Sequence, residues 1–144
     1  METGNSTVAS RTRILVVEDH DDTREVLANL LRHIGHQVVV AATAGDALRA
    51  IGTAKVDILV SDIGLPDGSG YALLAQARQA QPALRAIALT GFGTPQDARF
   101  SREAGFDFHL TKPLDFHELR TLLAQMTEPT QADSSVESEG NGQS

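Results

Sequence analysis

A regular alternation of short apolar runs with longer amphipathic stretches constrains the fold of this chain more than any other feature of its sequence. Five apolar runs are predicted as β-strands, and they cover residues 14–17, 38–40, 58–60, 87–89 and, more weakly, 106–110. Four of these runs contain apolar residues alone, which is typical of strands that are covered on both faces. Such strands are expected in a parallel sheet, and the stretches between them are long enough for helices.

Two of these stretches carry an apolar stripe at helical spacing. The first stripe consists of Leu27, Leu30, Leu31 and Ile34, and the second of Phe116, Leu119, Leu123 and Met126. Helix starts are indicated by capping pairs, namely Asp22 with Glu25, Thr43 with Asp46, Asp115 with Glu118, and Thr94 followed by Pro95. Gly35, Gly52 and Gly105 stand where left-handed helix ends are expected.

Strand and helix signals alternate five times, which predicts a (βα)₅ arrangement. Parallel strands need crossover connections, and such connections are right-handed. The economical solution is an open, doubly wound α/β sandwich built on a five-stranded parallel sheet.

Composition limits the number of domains and the kinds of partner. The chain has 144 residues, of which 41% are hydrophobic, and this fits one globular domain with a single core. Residues 13–126 are assigned to that domain, residues 1–12 to a flexible N-terminal segment, and residues 127–144 to a disordered acidic tail. The net charge of −7 argues against binding to nucleic acid or to a membrane surface, since both need a basic patch. There is no cysteine, secretory signal or run of about 20 apolar residues, so the expected location is the cytoplasm.

The predicted fold also indicates where a ligand binds, because ligands of doubly wound sheets lie outside the carboxyl ends of the strands. Glu18 and Asp19 follow the first strand, Asp62 the third, Thr90 the fourth and Lys112 the fifth. These five side chains are therefore expected to converge on one edge of the sheet.

The residue types at this edge are those that phosphoryl transfer needs. Three crowded carboxylates repel one another unless they share a cation or a proton, and an all-oxygen site selects a hard ion such as Mg²⁺. A divalent ion and Lys112 would neutralise and align a phosphoryl group, to which the hydroxyl of Thr90 could donate. Asp62, at the end of a rigid strand and before the turn of residues 65–68, is predicted as the nucleophile.

Four segments of the sequence resemble the receiver domain of bacterial two-component response regulators, over residues 13–126. They read ILVVEDHDDTREVL, DILVSDIGLPDGSGYALL, ALTGF and AGFDFHLTKPLD. The resemblance implies a flavodoxin-like (βα)₅ fold. It also implies that Asp62 accepts a phosphoryl group from a phosphohistidine on a sensor histidine kinase or a histidine phosphotransfer protein.

The resemblance assigns a metal site to the acidic residues. Glu18 and Asp19 would hold Mg²⁺ together with Asp62 and the backbone carbonyl of Gly64. The chain is not expected to be an enzyme beyond catalysing its own phosphorylation and dephosphorylation.

The resemblance also assigns the groups that bind and sense the phosphoryl group. Thr90, the amide of Gly91 and Lys112 would bind its oxygens, and Lys112 would precede Pro113 through a cis peptide. Thr90 and His109 would form the switch, although receivers usually carry Tyr or Phe where this chain has His109. Output would pass to a downstream protein partner through the face formed by helix 4, strand 5 and helix 5. The segment GFDFHLTKP resembles the corresponding segment of receivers at the ends of hybrid histidine kinases.

Two other functions remain open at this point. A small aspartyl-phosphate phosphatase would need a second acid two residues after Asp62, where the chain has Gly64, and a cap over its substrate. A binding scaffold that works independently of phosphorylation would never be labelled at Asp62. Four histidines are interpreted as solvated, with only the first beside the acidic residues: His20, His33, His36 and His117.

Overall fold

The computed structural model describes residues 12–91 and 95–127, and its strands follow the predicted alternation. Five strands form one parallel sheet: β1 is Arg13–Val17, β2 is Gln37–Ala41, β3 is Ile58–Asp62, β4 is Arg85–Thr90 and β5 is Phe108–Thr111. Their order across the sheet is β2-β1-β3-β4-β5, which is the flavodoxin-like doubly wound order. The predicted fold class is confirmed.

Two strands extend beyond their apolar runs in a way that matters for the site. β3 runs on to Asp62 and β4 runs on to Thr90. Both polar residues are therefore held by the hydrogen-bonded sheet itself, and neither belongs to the loop that follows.

Five helices complete the described part of the chain: α1 is Asp21–His33, α2 is Ala44–Thr53, α3 is Gly70–Ala80, α4 is Pro95–Glu103 and α5 is Phe116–Thr127. Two predicted caps are confirmed. The hydroxyl of Thr43 accepts a hydrogen bond from the amide of Asp46 at 3.0 Å. The carboxylate of Asp115 accepts from the amide of Glu118 at 3.2 Å.

The predicted start of α1 is wrong. Asp22 lies inside the first turn, because the helix begins at Asp21 and its N-cap residue is His20. The two acids still favour this end of the helix through their charge. The side chain of His20, however, makes no hydrogen bond to the helix.

Two of the three predicted glycine helix ends are confirmed. Gly35 and Gly105 have φ angles of 108° and 106°, in the left-handed region that favours glycine. The prediction for Gly52 is wrong, because α2 continues through Thr53. The chain then becomes extended at Ala54, the C-cap residue. Thr94, predicted as the cap of α4, lies outside the described residues, as do residues 1–11 and 128–144 of the predicted terminal segments.

The three central strands, β1, β3 and β4, are buried on both faces, so they hold the residues at their carboxyl ends rigidly. The prediction that all four apolar runs are covered on both faces is wrong for β2, where Val40 is 41% exposed. One face of the sheet packs with α2 and α3 in a cluster that includes Leu15, Val17, Leu59, Ala86, Ala88, Ala47, Ile51, Leu73, Leu74 and Ala77. The alternate residues of the same strands are buried as well, namely Ile14, Val16, Ile58, Val60, Ile87 and Leu89.

The chain divides into two compact units, Met1–Pro113 and Leu114–Ser144. Every residue of the predicted site belongs to the first unit. In the second unit the structure describes residues 114–127, where Leu119 and Leu123 of α5 are buried. Phe116 is 38% exposed, so the predicted burial of the whole stripe is wrong at this position.

Candidate functional site

Three carboxylates lie at the carboxyl edge of the sheet. Glu18 directly follows β1 and is fully buried, and its amide donates to the carbonyl of Ala41 at 3.1 Å. Asp62 ends β3 with 13% of its side chain exposed, whereas the side chain of Asp19 is 34% exposed. Since β1 and β3 are neighbours in the sheet, these acids reach the same edge.

Lys112 places its ammonium group between two of these acids. Its Nζ donates to Glu18 Oε1 at 2.7 Å and to Asp62 Oδ2 at 2.8 Å. Its amide donates to the carbonyl of Thr90 at 2.8 Å, which ties the chain after β5 to the end of β4. The peptide bond from Lys112 to Pro113 is cis. One cation therefore joins carboxylates that come from two different strands.

Burial and pairing act in opposite directions on these groups. Burial raises the pKa of Asp62, and the charges of Glu18 and Asp19 also raise it, while Lys112 opposes the rise. Burial also acts to raise the pKa of Glu18, but hydrogen bonds from Lys112 and His20 outweigh it, so the pKa is lowered. Burial acts to lower the pKa of Lys112, but its bonds to Asp62 and Glu18 raise it overall. Glu18 and Lys112 thus stabilise each other as ions, and Asp62 holds its charge less firmly.

Thr90 brings a free hydrogen-bond donor to this edge of the sheet. The residue is 2% exposed, and its Oγ1 has no hydrogen-bond partner among the residues that the structure describes. Buried hydroxyls are nearly always paired, so an unpaired one points to a ligand that would accept from it. Gly91 directly follows and is exposed, and Gly64 is an exposed residue two positions after Asp62.

The loop after Asp62 is a short antiparallel hairpin that is fastened to a neighbouring helix. Gly64–Leu65 pairs with Gly68–Ser69, as the predicted turn of residues 65–68 requires. At its tip, Asp67 accepts hydrogen bonds from the amides of Ala44 and Gly45 at 2.8 and 3.0 Å. The hairpin is therefore anchored at the N-terminus of α2.

Gly70 holds the other end of this hairpin close to the nucleophile candidate. Its amide donates to the carbonyl of Ile63 at 2.8 Å. A Cβ atom at Gly70 would lie only 2.5 Å from the backbone oxygen of Asp62. Because that neighbour is backbone, only glycine fits here without displacing Asp62.

The sequence placed His20 beside the acidic residues but did not give its contacts with them. Its Nδ1 lies 3.0 Å from Glu18 Oε2 and 3.5 Å from Asp19 Oδ1, and its amide also donates to Glu18 Oε2 at 3.0 Å. The interpretation of this histidine as solvated is confirmed, since its side chain is 73% exposed, and it lies beside the acidic residues as the sequence indicated. Its position directly after the acidic pair is the sequence signal that agrees with these contacts.

His109 lies on β5, opposite Ala88 of β4, and is half-buried. It borders a small cavity of about 50 Å³ that Ser101 of α4 also lines. The hydroxyl of Ser101 is buried and has no hydrogen-bond partner in the described part of the chain. His109 thus stands beside space and an unpaired polar group, and its role as a switch stays a prediction.

Comparison with known proteins identifies the family. Residues 14–124 match the family model described as the response regulator receiver domain. The chain belongs to this family. The predicted resemblance is confirmed, and with it the general role of a signalling module in two-component systems.

The relatives of this receiver domain differ greatly in length. It is 38% identical over 114 residues to an uncharacterized 14.6 kDa protein of Leptolyngbya boryana, a match that covers 78% of this chain and 87% of the relative. It is 33% identical over 115 residues to the sensor histidine kinase RcsC of Salmonella typhi, covering 80% of this chain but 12% of the kinase. It is 34% identical to the response regulator protein PilR of Pseudomonas aeruginosa over 116 residues, 80% of this chain and 26% of PilR. The chain therefore spans only a small part of the latter two proteins.

Solved structures support the same fold. A CheY-like receiver domain protein from Methanospirillum hungatei JF-1 superposes with a TM-score of 0.78 at 29% identity, covering 86% of this chain and 99% of the other. A putative response regulator from Chloroflexus aurantiacus J-10-fl gives a TM-score of 0.76 at 31% identity, covering 81% of this chain and 98% of the other.

Within residues 12–91 and 95–127, no helix is both long enough and apolar enough to cross a membrane.

Proposed function

We propose that this receiver domain accepts a phosphoryl group on Asp62 from a phosphohistidine of a sensor histidine kinase or a histidine phosphotransfer protein. One observation carries the proposal: the ammonium of Lys112 lies 2.7 Å from Glu18 Oε1 and 2.8 Å from Asp62 Oδ2. A cation in this position neutralises charge beside the carboxylate that reacts. The match to a segment of the kinase RcsC supports a kinase as the donor.

In the proposed transfer, a carboxylate oxygen of Asp62 bonds to phosphorus while the phosphorus–nitrogen bond of the phosphohistidine breaks. The electron pair of the broken bond returns to the imidazole nitrogen, and Asp62 becomes an acyl phosphate. Lys112 would donate to one phosphoryl oxygen. Thr90, whose hydroxyl is buried without a partner, and the amide of Gly91 would donate to the others. The chain would act as a catalyst only in its own phosphorylation and dephosphorylation.

The donor set fits Mg²⁺. Glu18, Asp19 and Asp62 offer carboxylate oxygens and Gly64 offers a backbone carbonyl, and all-oxygen ligands suit a hard divalent ion. The three carboxylates outnumber the single ammonium of Lys112 by two charges, which a divalent cation would balance. When bound, the ion would neutralise negative charge on the phosphoryl oxygens.

The output of this domain would be a change in affinity for a downstream protein partner. We assign the partner surface to α4 and β5, because Phe100 of α4 is 47% exposed and β5 leads directly into Lys112. The share of α5 in this surface, expected from the resemblance, stays a prediction. The ammonium of Lys112, which directly follows β5, would bind the phosphoryl group and so couple phosphorylation of Asp62 to the position of β5.

The phosphoacceptor is tested by incubating the protein with acetyl phosphate and Mg²⁺ and weighing the intact protein by mass spectrometry. One phosphoryl group is expected on the wild type and none on Asp62→Asn. Asp46→Asn, at an exposed position on α2, is the matched control and should be labelled like the wild type. Labelling that persists in Asp62→Asn would refute the assignment.

The metal site is tested by calorimetric titration with Mg²⁺. The double variant Glu18→Gln with Asp19→Asn keeps the size of both side chains and removes two charges, so Mg²⁺ should bind more weakly and labelling of Asp62 should slow. Undiminished Mg²⁺ affinity in the double variant would contradict the proposed ligands.

A further inference from the structure

The side chain of His20 occupies an unusual place for the residue that precedes a helix. N-cap residues normally turn a side-chain oxygen toward the first amides of the helix. His20 is the N-cap of α1, yet its side chain makes no such bond. Its imidazole instead faces Glu18 Oε2 and Asp19 Oδ1, at 3.0 and 3.5 Å from Nδ1.

These separations match those between neighbouring ligands of one metal ion. Ligand bonds of about 2.0–2.2 Å to a divalent ion place adjacent ligand atoms about 3.0–3.5 Å apart. One ligand atom each from Glu18, Asp19 and His20 can lie within 4.8 Å of the others. The ring is 73% exposed, so an ion can reach it from solvent.

The oxygens of Glu18 are divided between two sides of the site. Oε1 accepts from Lys112 Nζ at 2.7 Å, whereas Oε2 lies on the side of His20. Binding of an ion by Glu18 Oε2, Asp19 and His20 therefore does not require Lys112 to leave. The fully buried Glu18 carboxylate would be a fixed ligand, and the exposed ring the adjustable one.

An imidazole nitrogen changes which ions such a site prefers. Oxygen ligands suit Mg²⁺, while imidazole suits borderline transition ions such as Co²⁺ and Zn²⁺. We propose that His20 joins Glu18 and Asp19 as a metal ligand, and that this mixed site binds borderline divalent transition ions more tightly than Mg²⁺. The inference rests on the proposed function, which places a divalent ion at the same acidic residues.

The test is calorimetric titration of the whole chain with Co²⁺ and, separately, with Mg²⁺, at one fixed pH. His20→Ala should weaken Co²⁺ binding about tenfold or more and should change Mg²⁺ binding by less than about twofold. His33→Ala removes an exposed imidazole from the end of α1 and should leave both affinities unchanged. The visible absorption bands of bound Co²⁺ should also shift in His20→Ala, because a nitrogen ligand is lost.

A second variant separates ligation from hydrogen bonding. His20→Gln keeps a side-chain donor for Glu18 but lacks the imidazole nitrogen, so it should behave like His20→Ala. If His20→Gln binds Co²⁺ like the wild type, or if His20→Ala loses Co²⁺ and Mg²⁺ affinity equally, the imidazole is not a selective ligand and the inference is overturned.

Labelling of the wild type by acetyl phosphate in Mg²⁺ is scored separately and reports on the proposed function. If Asp62 is labelled in the wild type and the Co²⁺ affinity of His20→Ala is unchanged, the inference about His20 is refuted and the proposed function is not. Failure of labelling sinks the proposed function, while the titrations still decide whether His20 is a ligand.

Discussion

The ammonium group of Lys112 lies 2.8 Å from the carboxylate of Asp62, although 50 positions of sequence separate the two residues. The same group lies 2.7 Å from Glu18, whose side chain is fully buried. A buried carboxylate without a partner costs several kcal/mol. Lys112 therefore stabilises the charged form of Glu18 while it stands beside the candidate phosphoacceptor.

Removal of this ammonium should raise the pKa of both carboxylates. In Lys112→Met, burial still favours the neutral acids and the hydrogen bonds from Lys112 are lost, while those from His20 to Glu18 remain. Asp62 and Glu18 should therefore protonate at higher pH than in the wild type. Carbon-13 NMR titration of the carboxyl groups, without divalent ions, measures this. Lys55→Met, which changes the only other lysine of the chain, should leave both titrations in place. Unchanged titrations in Lys112→Met would contradict the pairing.

Asp67 should make the stability of the domain depend on pH in the acid range. Hydrogen bonds from the amides of Ala44 and Gly45 lower its pKa below the ordinary 3.8. The unfolded chain then binds the proton more tightly, so the stabilisation is complete above pH 3.8 and is lost as the pH falls through the folded pKa. In urea unfolding, the free energy of unfolding of Asp67→Asn should be lower than that of the wild type near neutral pH, and this difference should disappear in acid. A difference that stays constant down to acid pH would show that the charge of Asp67 contributes nothing to stability.

His109→Tyr tests the proposed switch. An imidazole is smaller and less apolar than a phenol, so inward burial on phosphorylation gains less hydrophobic stabilisation. Phosphorylation should therefore shift the amide NMR signals of α4 and β5 only modestly in the wild type and more strongly in His109→Tyr, with labelling of Asp62 unchanged. His33→Tyr is the control on an exposed face of α1. Equal shifts in His109→Tyr and the wild type would rule out a switching role for His109.

The positions of the main site residues could be predicted because parallel strands present their carboxyl ends at one edge. Once the five apolar runs were read as parallel strands, Asp62, Thr90 and Lys112 had to lie near one another. Sequence could not show that the ammonium of Lys112 bonds Glu18 and Asp62, because side-chain torsions decide among several carboxylates within reach. Nor could it show the unpaired hydroxyl of Thr90, which depends on the packing of neighbouring strands.

The helix ends were less predictable because local signals compete. Asp21 and Asp22 are both suitable at or near a helix N-cap, so the sequence does not show that both lie inside the first turn of α1. His20 is the N-cap residue, and its ring contacts Glu18 and not the helix amides, a contact that no capping rule includes. At Gly52 the helix simply continues, since glycine permits a left-handed end but does not impose one.

Gly70→Ala should damage the fold and the site together. The added Cβ would lie 2.5 Å from the backbone oxygen of Asp62 and 3.1 Å from Cα of Ile63. Neither atom can move without shifting the end of β3, so a loss of about 1–3 kcal/mol in the free energy of unfolding is expected, together with slower labelling of Asp62. Gly68→Ala is the matched control in the same hairpin, because a Cβ there meets no atom within 4 Å. Urea unfolding and acetyl phosphate labelling measure the two effects, and wild-type stability in Gly70→Ala would show that the hairpin can move away from Asp62 at no cost.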